Sequence, residues 1–113
     1  MADLNSSWHF LTNHAHVLLC ISSDPDVTVR ALAQRIGITE RAVIRIVGEL
    51  DEEGFLERTR EGRRNHYTIR RNRALRHEVE AHCTVGDLIE MFRSCGPESG
   101  HAPPASPAVR QEP

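Results

Sequence analysis

The chain contains no lysine: every one of its 14 Lys-plus-Arg positions is arginine. A GC-rich genome produces the same bias, so the choice of arginine says little about function and its placement says more. Cysteine is scarce as well. Cys20, Cys83 and Cys95 are odd in number and form no CxxC pair, which argues against a disulfide framework; with no recognisable signal peptide, a reducing cytoplasm is expected. Long apolar runs are missing too. The longest, "VLLCI" at Val17–Ile21, is far too short to cross a bilayer, so a soluble chain with no membrane partner is expected. No glycine-rich phosphate loop and no carboxylate pair is present. The one nucleophile-and-base pair, His82 beside Cys83, consists of adjacent residues, which seldom face each other, so neither catalysis nor a cofactor is expected.

What is present is a segregation of charge beneath a formal net charge of −2. Residues 28–73 carry eleven arginines against seven acids, whereas residues 1–27 carry three acids and no arginine, and residues 74–113 carry three arginines against six acids. The middle of the chain is therefore the basic part. At 113 residues the chain has room for one domain, expected over residues 13–93. An arm (1–12) precedes it, and a proline-rich tail (94–113) with almost nothing to bury is expected to be disordered.

Hydrophobic spacing predicts the elements. A first helix is expected from Asn13, as N-cap, to about Ser23, ended by the Asp24-Pro25-Asp26 turn. Its middle is apolar on all sides. Such a run suggests either a second covered surface, such as a partner subunit met with the help of Trp8 and Phe10, or a small domain that wraps the helix by itself. Thr28 then caps a helix whose Val29, Leu32, Ala33 and Ile36 follow the spacing of one buried face. Gly37 stops it, Ile38 follows as a buried hinge, and Thr39 caps a second helix with Val43, Ile46, Val47 and Leu50 inward. Two short helices around a glycine turn, with the small Ala33 allowing close approach, make a helix-turn-helix over 28–53. Gly48, inside the second helix, predicts a close backbone contact there, because a mid-helix glycine otherwise costs about 1 kcal/mol relative to alanine.

After Gly54, Phe55–Arg60, the pair Glu61-Gly62 and Arg63–Arg70 read as strand, turn and strand, with Leu56, Tyr67 and Ile69 inward. This hairpin is a wing over 55–70. Leu75–Cys83 is expected to form a helical turn or two. Thr84 and Asp87 make a capping-box variant that opens a helix over 84–93 with Val85, Leu88, Ile89 and Phe92 on one face. The fold class is thus mainly α with a small β-hairpin: a winged helix-turn-helix, or α+β, domain.

The apolar helix-turn-helix positions Leu32, Ala33, Ile36, Gly37, Ile38, Val43 and Ile46, the passage "LDEEGFLER" and the return strand "GRRNHYTI" together resemble bacterial winged helix-turn-helix regulators of the MarR and ArsR type. The resemblance spans about half the chain and implies sequence-specific binding of double-stranded DNA for transcriptional regulation. The typical long C-terminal dimerisation helix is replaced here by the short 84–93 segment.

The residues themselves suit that role. With Val43, Ile46, Val47 and Leu50 inward, Arg41, Ile44 and Arg45 must face outward on the helix that enters a major groove in this motif. Ile44 suits a thymine methyl, Arg41 and Arg45 suit guanine O6 and N7 or a phosphate, and Thr39 suits a phosphate at the helix N-terminus. Thr28, capping the preceding helix, belongs to the same candidate set. Glu40 either accepts from cytosine N4 or only favours the helix start. On the wing, Arg58, Arg60, Arg63 and Arg64 are placed for phosphates or a narrow minor groove, with Asn65 and His66 adding hydrogen bonds. A monomer would read too few base pairs, so a homodimer is expected, with half-sites about 34–36 Å apart and the first and last helices as interface.

Three other readings compete. A metal-responsive, ArsR-like repressor would draw on His14, His16, His77, His82 and Cys83, although His14 and His16 point to different sides of a helix and no closed four-ligand pattern exists. Redox sensing would use Cys83 or Cys95, while Cys20 reads as a small core residue. A winged helix can also serve as a protein-interaction module that never touches DNA. The operator and any effector ligand are not legible.

Overall fold

A computed structural model describes residues 8–95, within which the chain forms α1 (Asn13–Ser23), α2 (Val29–Ile36), α3 (Glu40–Glu52), β1 (Leu56–Glu61), β2 (Arg64–Ile69) and α4 (Val85–Ser94). The expected tail lies almost wholly outside the described residues. The chain divides at Arg70 into two compact units, and no helix is long and apolar enough to cross a membrane among the described residues.

In the first unit, each helix starts on a threonine whose hydroxyl accepts a hydrogen bond from an otherwise unpaired backbone N–H. Thr12 accepts from Ala15 at 3.3 Å, Thr28 from Ala31 at 3.0 Å and Thr39 from Ala42 at 3.0 Å. The cap of α1 is therefore Thr12 and not Asn13, which is the first helical residue and accepts instead from the His16 ring. Both residue types cap well, so sequence alone places this boundary to within a residue. Helix α1 buries Val17, Leu18 and Ile21 and leaves Leu19 and Cys20 half-buried.

The two helix ends that matter for α3 are both made by glycine. Gly37 ends α2 at φ 85° and its N–H donates to Ala33 at 2.8 Å. After α3, Gly54 at φ 82° lets its own N–H reach the Asp51 carbonyl, and the Phe55 N–H reach the Leu50 carbonyl at 2.9 Å. This paired pattern satisfies two orphan carbonyls and brings buried Phe55 beside buried Leu50. Gly48 behaves differently from expectation. A β-carbon built there would meet nothing within 4 Å, so no close approach accounts for it.

Helices α1, α2 and α3 pack on one another, with β1 against α3 and β2 against α1. The core they share comprises Val17 and Ile21, Leu32 and Ala33, Val43, Ile46, Val47 and Leu50, closed below by Phe55, Leu56 and Tyr67. Each buried Val, Leu, Ile or Phe side chain among them contributes about 1.5–3 kcal/mol relative to full exposure. The strands pair antiparallel with Leu56 opposite Ile69 and Glu61 opposite Arg64. The tight turn is therefore Gly62-Arg63, one residue later than the sequence suggests. Gly62 at φ 66° supplies the positive φ that a two-residue hairpin turn needs at its first central position. The outer edge of β2 is covered where Tyr67 N–H donates to the Pro25 carbonyl at 3.0 Å.

In the second unit, Leu75–Cys83 forms no helix. It is a loop of successive turns, Glu80 to His77 and Cys83 to Glu80, closed at its base by an antiparallel bridge between Ala74 and Thr84. The bridge sets the two ends of the loop side by side, whereas a helix running through the span would hold them apart. Helix α4 opens with the full reciprocal cap: Thr84 Oγ1 accepts from Asp87 N–H at 3.1 Å and Asp87 Oδ2 accepts from Thr84 N–H at 2.9 Å. Two more N–H groups of its first turn, from Val85 and Gly86, donate to the Arg73 and Arg71 carbonyls. That approach leaves little room for a side chain at Gly86, where a β-carbon would sit 3.0 Å from the Arg71 carbonyl oxygen. Val85 and Ile89 are buried, and Met91 and Phe92 are exposed.

Candidate nucleic-acid interface

Burial of one stripe of α3 dictates what its other side offers. Arg41, Ile44 and Arg45 are all exposed, and Ile44 is open at 57%. Glu40 occupies the first turn, where its charge suits the helix dipole, and it is exposed. Thr39 and Thr28 both accept backbone bonds as caps, so each hydroxyl keeps its hydrogen free to donate outward. Arg41 has no ion-pair partner among the described residues. Arg45 lies 3.4 Å from Glu49, one turn further along.

The hairpin does not gather its arginines on one side. Strand alternation puts Arg58 and Arg60 on the face that carries Leu56 and Tyr67, and puts Arg64 on the opposite face. Arg58 is tied to Asp51 at the end of α3, at 3.3 Å, and Arg60 Nε donates to the Gly62 carbonyl at 3.1 Å. These two hold the wing to α3 and brace its turn. Arg63 and Arg64, at the tip, are exposed and without an ion-pair partner among the described residues. Asn65 is half-buried beside them. His66, also half-buried, is already engaged: its Nδ1 contacts Asp26 Oδ1 at 2.8 Å. That contact raises the His66 pKa above 6.5, chiefly through the hydrogen bond to Asp26 and further through the charges of Asp26 and Glu61.

Sequence reasoning missed two ties between distant residues, His66 to Asp26 and His14 Nε2 to Glu49 Oε1 at 2.7 Å. Nothing in the local sequence announces either, since partners 40 and 35 positions apart meet only after packing. The histidines of α1 go separate ways, as their spacing implied: His14 to Glu49, His16 to Asn13 and edge-on to His9. Burial lowers the His16 pKa, with a smaller effect from His9. No group of three or more His, Cys, Asp or Glu side chains is arranged to hold a metal among the described residues. Cys20 and Cys83 are half-buried, Cys95 is exposed, and all three are free.

Residues 10–64 match the model of the MarR family. In solved structures, the fold is similar to that of a predicted DNA-binding transcriptional regulator from E. coli, with a TM-score of 0.52 and 18% identity over 73% of this chain and 75% of that one. It is similar also to FabT of Streptococcus pneumoniae, crystallised in complex with DNA, with a TM-score of 0.52 and 16% identity over 82% of this chain and 59% of that one. At such identities the likeness concerns the fold. A curated relative, a riboflavin kinase of Thermococcus kodakarensis, is 40% identical over 43 residues, which are 38% of this chain and 20% of that protein. The chain thus matches only a fifth of that relative's length.

Proposed function

We propose that the chain, a winged helix-turn-helix whose residues 10–64 match the model of the MarR family, is a non-enzymatic transcriptional regulator that binds double-stranded DNA. Helix α3 lies in the major groove with Arg41, Ile44 and Arg45 toward the base edges. Thr28, Thr39 and the wing tip, Arg63 and Arg64, meet phosphates or a narrow minor groove. The observation that carries this reading is the exposed face of α3, which offers Ile44 together with Arg41 and Arg45 while Val43, Ile46, Val47 and Leu50 are buried on the other side. Arg58, Arg60 and His66 support the wing from within, and Glu40 favours the helix start.

The protein acts as a homodimer on two half-sites, through α1 and α4. In favour of α1 are the exposed rings of Trp8 and Phe10 at its start, 67% and 92% open and stacked edge-to-face at 5.4 Å. In favour of α4 are exposed Met91 and Phe92. Its place of action is the cytoplasm, on the nucleoid.

Duplex affinity measured against salt tests the reading. A linear fall of log affinity with log salt is expected, with a slope of about −0.9 per neutralised phosphate. Binding that is absent, or indifferent to salt, would make the winged helix a protein-interaction module instead.

A further inference from the structure

Glu49 receives two partners from different directions. His14, on α1, donates its Nε2–H to Glu49 Oε1 at 2.7 Å, while Arg45 Nη1 lies 3.4 Å from both carboxylate oxygens. The unequal lengths decide which bond holds the carboxylate. The first is at the short end of the range for hydrogen bonds to a charged group, and the second is beyond the usual N–H···O distance. An arginine preceding its glutamate by four residues is also the weaker orientation of such helix pairs. Glu49 is therefore fixed from α1, and Arg45 rests loosely on an acceptor that another helix has set. The bond from His14 is also the largest of the influences that lower the Glu49 pKa from its ordinary value, ahead of Arg45.

We infer that Glu49 is a positioning residue for base recognition: held by His14, its carboxylate aims the Arg45 guanidinium and offsets its charge, sharpening the distinction that α3 makes between base pairs. This rests on the reading of α3 as the base-contacting helix. A lone arginine is drawn to any phosphate by its charge, whatever the sequence. Beside a fixed carboxylate, much of that long-range attraction is cancelled, while the directional bonds to guanine O6 and N7 are kept. Because an exposed pair of this kind is weak, Arg45 can turn its free N–H groups toward a base edge with little loss while the carboxylate stays beside it.

The test uses the full chain and a pool of duplexes randomised over the bound positions. Affinities are measured for the selected duplex, for its single-base-pair variants and for the unselected pool. Arg45→Ala first identifies the base pair that Arg45 reads. Glu49→Gln is expected to reduce discrimination at that same base pair by about two- to fivefold and to tighten binding to the unselected pool. His14→Ala should act in the same direction and less strongly. In the Arg45→Ala background, Glu49→Gln should have no further effect on discrimination, an outcome that a merely structural role would not produce. Equal changes for selected and unselected DNA, or an undiminished effect without Arg45, would overturn the inference while leaving the base-reading role of α3 in place. Wild-type protein that binds the selected duplex no better than the pool would overturn that role itself, and the inference with it.

Discussion

Helix α3 and the β1–β2 hairpin are neighbours in the chain and both present arginine to solvent, but they are anchored differently. Val43, Ile46, Val47 and Leu50 of α3 are buried along its length, so its outward face is held as rigidly as the core. The hairpin buries Leu56 and Tyr67 near its base, and beyond Arg58 toward the turn β1 is exposed throughout. Arg58 and Arg60 are used in bracing it, and Arg63 and Arg64 are left at the tip. A rigid face suits contacts that depend on the position of a base edge. A tip anchored only at its root suits contacts that depend on charge alone.

Substitutions across α3 test this contrast with the largest effects. Ile46→Ala, which empties a fully buried site, is expected to lower unfolding free energy by about 2–5 kcal/mol, whereas Ile44→Ala should stay within about 0.5 kcal/mol of wild type. Chemical denaturation of both variants separates the buried face from the reading face. Comparable losses for the two would erase the distinction.

Next in size is the division of labour on DNA. Arg41→Ala is expected to cost about 1–3 kcal/mol at one base position and little elsewhere, while Arg63→Ala should weaken all sequences nearly equally and flatten the salt slope by about 0.9. Affinities on base-substituted duplexes at several salt concentrations check both. Equal losses on selected and random DNA for the two variants would mean that helix and wing do the same thing.

Glycine substitutions sharpen the comparison of helix ends with helix middles. Gly37→Ala forces an L-residue to φ 85° and should destabilise by about 1–2 kcal/mol. Gly48→Ala meets open space and should stabilise by up to about 1 kcal/mol. Thermal unfolding would show opposite shifts in Tm.

The smallest effect expected is the pH dependence of the wing's tie to the α1–α2 turn. Because the folded pKa of His66 is raised above 6.5 by Asp26, the protonated pair contributes fully below that value, and its contribution fades as pH rises through the folded pKa. The His66 ring should titrate above 6.5 in an NMR experiment. Asp26→Asn should bring its midpoint down, and an unchanged midpoint would show that the contact does not persist in solution.

The helix-turn-helix was legible because its signals are local. Apolar residues at helical spacing, a threonine before each helix and Gly37 between them specify α2 and α3 with little help from the rest of the chain. The capping box of Thr84 and Asp87 is equally self-contained. The cap of α1 and the hairpin turn slipped by one residue, because neighbouring residues compete for such positions and the outcome depends on register. Gly48 and Gly86 show the limit more sharply. Gly48, whose place in a helix predicted a close backbone contact, meets nothing within 4 Å, while Gly86, which no local signal singled out, lies against the Arg71 carbonyl. The loop 75–83 could not be read either, since the bridge that closes it pairs Ala74 with Thr84 across the whole span. At the site, the outward face of α3 followed from its inward one, but the ties of His14 and His66 did not.

The most direct test follows the Ile44 methyl groups by NMR as a selected duplex is added. Large shifts and a cross-relaxation contact to a thymine methyl are expected, together with shifts at Arg41 and Arg45. An Ile44 signal that stays in place while another surface responds to the duplex would contradict the assignment of α3 as the reading helix.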